Sequence, residues 1–214
     1  PKILEDVKKL MAELVSWINS PEIAKEDPVV RAALAHYYFA LIHPFGDGNG
    51  RTARAVEAMM LRSAGFRFVY NMLSNFYYKN IDDYFWAFSL SERNKENNIT
   101  PFLEFFLKGL IDSLEEIRRR IFALIREFTL KDYYAFLNKE KNITQRQHDL
   151  MNLLLKIGKP FTLKDLFDND QLKIIYRNVT ERTARRDLKN LTDRGLLKFD
   201  SALSTFTLNP FVIG

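Results

Sequence analysis

HPFGDGNGRTAR, His43 to Arg54, packs a histidine, one carboxylate, two glycines around an asparagine and two arginines into twelve positions. Gly48 and Gly50 flank Asn49 where a loop turns into a helix. Glycine accepts left-handed dihedrals that aim successive amides into one concavity. A helix N-terminus already favours an anion there, through its unpaired N–H groups and its dipole. Arg51 and Arg54 are three apart and hence neighbours on the helix surface, where two guanidinium forks can clamp a phosphate chain. Asp47, the only carboxylate of the loop, suits a magnesium ion whose other ligands are phosphate oxygens and water. His43, held by Pro44 at the close of a helix, is suited to take a proton from an attacking hydroxyl. Phe45 is expected to point inward and anchor the loop. Taken together, the pattern is a polyphosphate cradle with a base beside it.

On both sides of the loop the chain reads as helix. DPVVRAALAHYYFALI opens with Asp27 as a cap and Pro28 in the first turn, and Pro44 disfavours helical geometry at His43. RTARAVEAMMLRSAG runs as the next helix and stops at Gly65. Upstream, Ile3, Val7, Leu10, Leu14, Trp17 and Ile18 form one stripe at helical spacing. Downstream, IDDYFWAFSLSER is a shorter helix, SERNKENNIT a polar loop, and PFLEFFLKGLIDSLEEIRRRIFALIREF a long amphipathic helix starting near Pro101.

Composition changes at the polar stretch 138–146, which is expected to link two domains. Beyond it lie a helix (Gln145 to Lys156), a short helix in TLKDLF, a third in VTERTARRDLKNLTDRG capped by Thr180, and two strands in LLKFD-SAL-STFTL. Three helices and a hairpin is the order of a winged helix-turn-helix. In the third helix Val179, Ala184, Leu188 and Leu191 can face a core, leaving Arg182, Arg185, Arg186 and Lys189 outward for DNA or a protein partner. Of the net charge of +5, the chain from Ile143 onward carries twelve Lys and Arg against eight Asp and Glu. That excess is too small to demand a nucleic acid, but it marks where one would bind.

The chain holds no cysteine, which excludes disulfides and thiolate metal sites and suits a reducing, cytoplasmic setting. No run of about 18 apolar residues could span a bilayer, so no membrane partner is expected. The three histidines, His36, His43 and His148, lack the spacing of a metal pair on a helix, and His148 reads as an ordinary surface or interface residue.

HPFGDGNGRTAR resembles the signature of the Fic family, His-x-Phe-x-Asp/Glu-Gly-Asn-Gly-Arg-x-x-Arg, at every specified position. ALAHYYFALI, DDYFWAF and ITPFLEFFLKGL also resemble the family's core segments, so that the likeness covers roughly residues 1–110. It implies a mainly α fold with a Fic-type helical core over residues 1–137; the element order read above adds the linker 138–146 and a winged helix-turn-helix over 147–214. It further implies transfer of AMP from Mg²⁺-bound ATP to a Ser, Thr or Tyr hydroxyl of a target protein. The roles that follow are general base for His43 and magnesium binding for Asp47. Phosphate binding falls to Gly48, Asn49, Gly50 and Arg54, with Arg51 alongside. The resemblance also places Tyr84 and Phe85 at the adenine, with Glu92 or Asn94 as a polar partner. A family flap that pairs with the target would lie before Pro1, and the inhibitory pattern Ser/Thr-x-x-x-Glu-Gly/Asn is not found; Thr100 to Glu104 comes nearest but is followed by Phe105. Gly50 argues against the phosphate-transferring relative, which has lysine there. The competing readings are a nucleotide-sensing DNA-binding regulator, and a Fic enzyme that transfers or removes another nucleotide-linked group. The partners these readings imply are a protein substrate, DNA at the tail and, for a homodimer, a second copy of the chain.

Overall fold

The computed structural model describes residues 4–93 and 98–213; Ile3 and Asn94, named above, lie outside them. The chain forms two compact units, residues 1–120 and 121–214. Among the described residues it is mainly helical, with one two-stranded hairpin.

In the first unit α1 (Leu4–Ile18), α2 (Pro28–Ile42), α3 (Asn49–Ser63), α4 (Val69–Lys79) and α5 (Ile81–Arg93) precede the start of α6 (Thr100–Lys139). Asp27 caps α2 by accepting the Val29 N–H at 2.7 Å, with Pro28 in the first turn. α2 is apolar on every side, and such a helix must be central; eight of its residues, Ala32 to Tyr37 with Phe39 and Ile42, are buried. α3 needs only one stripe for its packing and buries Asn49, Ala53, Glu57 and Leu61 at four-residue intervals. The expected stripe of α1 is only partly used: Val7 is buried, while Leu10 and Trp17 remain more than a third exposed.

Helix α4 escapes the sequence reading. VYNMLSNFYYK is rich in aromatic and Asn residues of modest helix propensity, yet it buries Val69, Leu73, Phe76 and Tyr77 at helical spacing. Tertiary burial outweighs propensity there. α6 lies close against this helix at Gly109, where an added Cβ would stand 2.5 Å from Phe76 Cδ1.

The second unit begins inside α6. Leu130, Tyr134 and Leu137 join a core with α7 (Gln145–Ile157), the short helices α8 (Asp165–Asp168) and α9 (Lys173–Tyr176), α10 (Glu181–Asp193) and the strands β1 (Leu197–Asp200) and β2 (Thr205–Leu208). That core therefore reaches back ahead of the 138–146 stretch expected to separate the domains, and Ile143 within the stretch is itself buried. Thr144 and Gln147 start α7 with a reciprocal capping box. The strands pair antiparallel with Leu197 opposite Leu208. Asp187, buried on α10, accepts from Arg146 Nε at 2.7 Å, Gln147 Nε2 at 3.3 Å and the Tyr176 hydroxyl at 3.4 Å. These bonds tie α10 to α7 and α9. No described helix is long and apolar enough to cross a membrane.

Candidate active site

His43 ends α2 in the left-handed region, φ 54° and ψ 59°, its N–H still donating to the Phe39 carbonyl at 3.1 Å. A left-handed residue ends the helix here, and His43 is exposed. Gly48, at φ 86°, is the N-cap of α3; a side chain there would be strained. The first rung of the α3 ladder is Thr52 N–H to the Gly48 carbonyl, 2.9 Å. The amides of Asn49, Gly50 and Arg51 precede it and form the positive pole of the helix.

Asn49 shapes the loop from inside. Its buried side chain accepts the Phe45 N–H at 2.8 Å and donates to the Phe45 carbonyl at 2.6 Å. This amide clamp, not the Phe45 ring, anchors the loop. Phe45 is 50% exposed, against the expectation that it points inward. The Asn49 pairing holds its backbone at the surface, where the ring reaches Phe39 only at a centroid distance of 6.1 Å.

Asp47 accepts the Gly48 N–H through Oδ1 at 2.6 Å and pairs with Arg51 through Oδ2 at 2.8 Å. The Gly48 amide is thus already engaged. A single exposed carboxylate beside a helix N-terminus could hold a magnesium ion whose other ligands are phosphate oxygens and water, once Arg51 releases it. Arg54 forms no hydrogen bond or ion pair with another described residue. A Cβ at Gly50 would stand 3.3 Å from Arg54 Nη1, so the glycine leaves this guanidinium its room.

These groups converge on an open cavity of about 640 Å³ lined by His43, the 46–51 loop, Arg54 and the α5 residues Ile81, Tyr84, Phe85, Phe88, Ser89 and Glu92. The aromatic run of α5 divides: Tyr84 is 5% exposed, whereas Phe85 and Trp86 stand more than half exposed. Tyr84 belongs to a buried polar chain that sequence reasoning missed. His36 Nδ1 meets Glu57 Oε2, His36 Nε2 lies 3.0 Å from the Tyr84 hydroxyl, and the Tyr77 hydroxyl donates to Glu57 Oε2 at 2.7 Å. The available signal was a histidine set singly in the apolar α2 and a glutamate in step with Ala53 and Leu61 on the buried stripe of α3. Burial pushes the Tyr84 hydroxyl up to about 12 and the Tyr77 hydroxyl well above its ordinary value. Burial also raises Tyr37, with the Glu92 charge adding to it.

Arg182, Arg185, Arg186 and Lys189 lie exposed on α10 in the second unit; Arg185 pairs with Glu181. His148 contacts Asn152 and Asp149 and lines no part of the 43–54 cavity.

Residues 2–61 match the family model described as Fic/DOC family. The chain is 44% identical over 66 residues to the protein adenylyltransferase fic-1 of Caenorhabditis briggsae, covering 31% of this chain and 13% of that protein. It is 48% identical over 61 residues to the protein adenylyltransferase Fic of Drosophila erecta, covering 28% and 12%. A crystal structure of a Fic family protein from Desulfovibrio desulfuricans G20 aligns with TM-score 0.49 and 22% identity, over 97% of this chain and 56% of that one. The chain thus spans about an eighth of the length of these curated relatives. The segment matched by the family model, residues 2–61, contains the whole 43–54 loop, and there this chain is similar to the Fic/DOC family.

Proposed function

We propose that the first unit transfers AMP from ATP to a hydroxyl of a target protein. The reading is carried by one observation: an exposed imidazole, the first-turn amides of α3, an unpaired arginine and an aromatic wall share one open cavity. The curated relatives named for adenylyl transfer support it from the sequence side. In the reaction the target oxygen attacks the α-phosphorus as His43 takes its proton. The bond to the departing pyrophosphate breaks as the new phosphoester forms. Arg54 and the α3 amides hold the phosphate chain in line and offset the charge gathering on its oxygens. Asp47 would hold magnesium, which supplies further charge neutralisation when bound. Phe85 offers an exposed aromatic face to a purine, with Tyr84 behind it and Glu92 as the polar group nearby. Incubation with α-labelled ATP and magnesium tests this. Label should appear in protein and vanish in His43→Ala; nucleotide binding without labelling in the unaltered chain would favour the sensor reading.

A second activity is proposed for the other unit, read as a winged helix-turn-helix that contacts DNA through α10. The favouring observation is its exposed row Arg182, Arg186 and Lys189, none of which is ion-paired to a described residue. Affinity for duplex DNA should fall steeply with salt, and a flat response removes this reading.

A further inference from the structure

We propose that His36 and Glu57 are positioning residues for the nucleoside end of the cavity, acting through the Tyr84 hydroxyl to hold that ring as a fixed wall. The proposal rests on reading the cavity as a nucleotide site.

Four helices meet in one buried chain of polar groups. Glu57 of α3 is 2% exposed and accepts from Tyr77 of α4. His36 of α2 is fully buried between Glu57 and Tyr84 of α5. Nδ1 of the ring faces the Glu57 carboxyl and Nε2 faces the Tyr84 hydroxyl, so one imidazole engages both groups at once. The Tyr84 hydroxyl, which burial keeps protonated through neutral pH, pairs with Nε2 at that end. Three of these helices also supply cavity residues: α2 supplies Ala40 and leads directly into His43, α3 carries Gly50 and Arg54, and α5 carries Phe85. The chain therefore sets the distance between the phosphate cradle and the aromatic wall.

Stability alone does not call for this arrangement. A buried ionic or polar cluster can often be replaced by apolar side chains of similar volume at no net cost. What apolar packing cannot supply is direction. Tyr84 already touches Phe88 at a centroid distance of 4.9 Å and Tyr77 at 5.5 Å, contacts that tolerate sliding and tilting of the ring. The 3.0 Å bond to Nε2 constrains it in distance and angle. It also commits the hydroxyl inward, so a ligand meets the ring and not its oxygen.

The test compares two probes on the whole chain by calorimetry with magnesium: ATP, which engages both ends of the cavity, and inorganic tripolyphosphate, which engages only the cradle. Tyr84→Phe removes a single oxygen, and His36→Asn removes the same link from the other side. Each should weaken ATP binding roughly five- to tenfold, the net worth of about one hydrogen bond, with tripolyphosphate binding unmoved. The double variant should be no worse than the weaker single, since both cut one link. Unchanged ATP affinity in Tyr84→Phe would overturn the proposal. So would parallel losses for both probes, the mark of a merely structural role. If His36→Asn does not fold, Tyr84→Phe decides alone. An unaltered chain that binds neither probe would sink the nucleotide reading itself, a result distinct from these.

Discussion

At the level of single residues, the loop divides its labour between atoms that face the cavity and atoms that hold the loop. Asp47 and Arg51 are paired at 2.8 Å with side chains 91% and 73% exposed, and such pairs contribute roughly 0–1 kcal/mol. The cation and phosphate of the proposed reaction would therefore displace the pair at little cost. Asp47→Ala should weaken magnesium-dependent ATP binding in calorimetry. His43→Ala should leave that binding intact and abolish label transfer, because in the proposed reaction the imidazole acts only on the attacking hydroxyl. Transfer at the unaltered rate in both variants would refute the assignment. Asn49 has no such exposure; its amide holds both backbone groups of Phe45. Asn49→Ala should cost about 1–3 kcal/mol and speed hydrogen exchange at the Phe45 amide, lowering ATP affinity by releasing the loop.

At the level of elements, the site depends on how closely helices approach. Gly109 lets α6 lie against Phe76 and Leu73 of α4, whose side chains would stand 2.5 and 3.0 Å from an added Cβ. Gly109→Ala should therefore destabilise the first unit by about 1–3 kcal/mol, as overpacking does. Urea unfolding would register that as a lower midpoint with the slope unchanged. In the second unit, the bonds from Asp187 to Arg146, Gln147 and Tyr176 set which face of α10 turns outward. The basic row at 182–189 is a consequence of that buried carboxylate as much as of its own periodicity.

Across the whole molecule, both units bury tyrosine hydroxyls, and both should lose stability in alkali for that reason. Burial raises Tyr77 and Tyr84 in the first unit and Tyr134 and Tyr176 in the second. In the unfolded chain these phenols ionise near pH 10. A raised folded value means that the native state holds its proton longer, so the contribution is complete below about pH 10 and is lost as pH climbs through the folded values. For Tyr84 that value is about 12. Equilibrium unfolding free energy should accordingly change little on this account up to about pH 10 and fall above it.

Much of this architecture was legible in linear pattern. Asp27 with Pro28, the glycine-flanked turn at Asn49, the run 81–93 and the Thr180 cap are local features, decided by backbone dihedrals and by side chains a few positions apart, and α2, α3, α5 and α10 follow from them. The loop chemistry is equally local, since its residues lie within twelve positions. Packing settled the rest. Phe45 turned outward because Asn49 took up its backbone groups, and α4 formed because its one buried face outweighed indifferent propensity. The His36, Glu57 and Tyr84 chain joins residues 21 and 48 positions apart. No periodicity within one helix specifies which polar group on another will meet it in the core; that depends on where four helices come to rest.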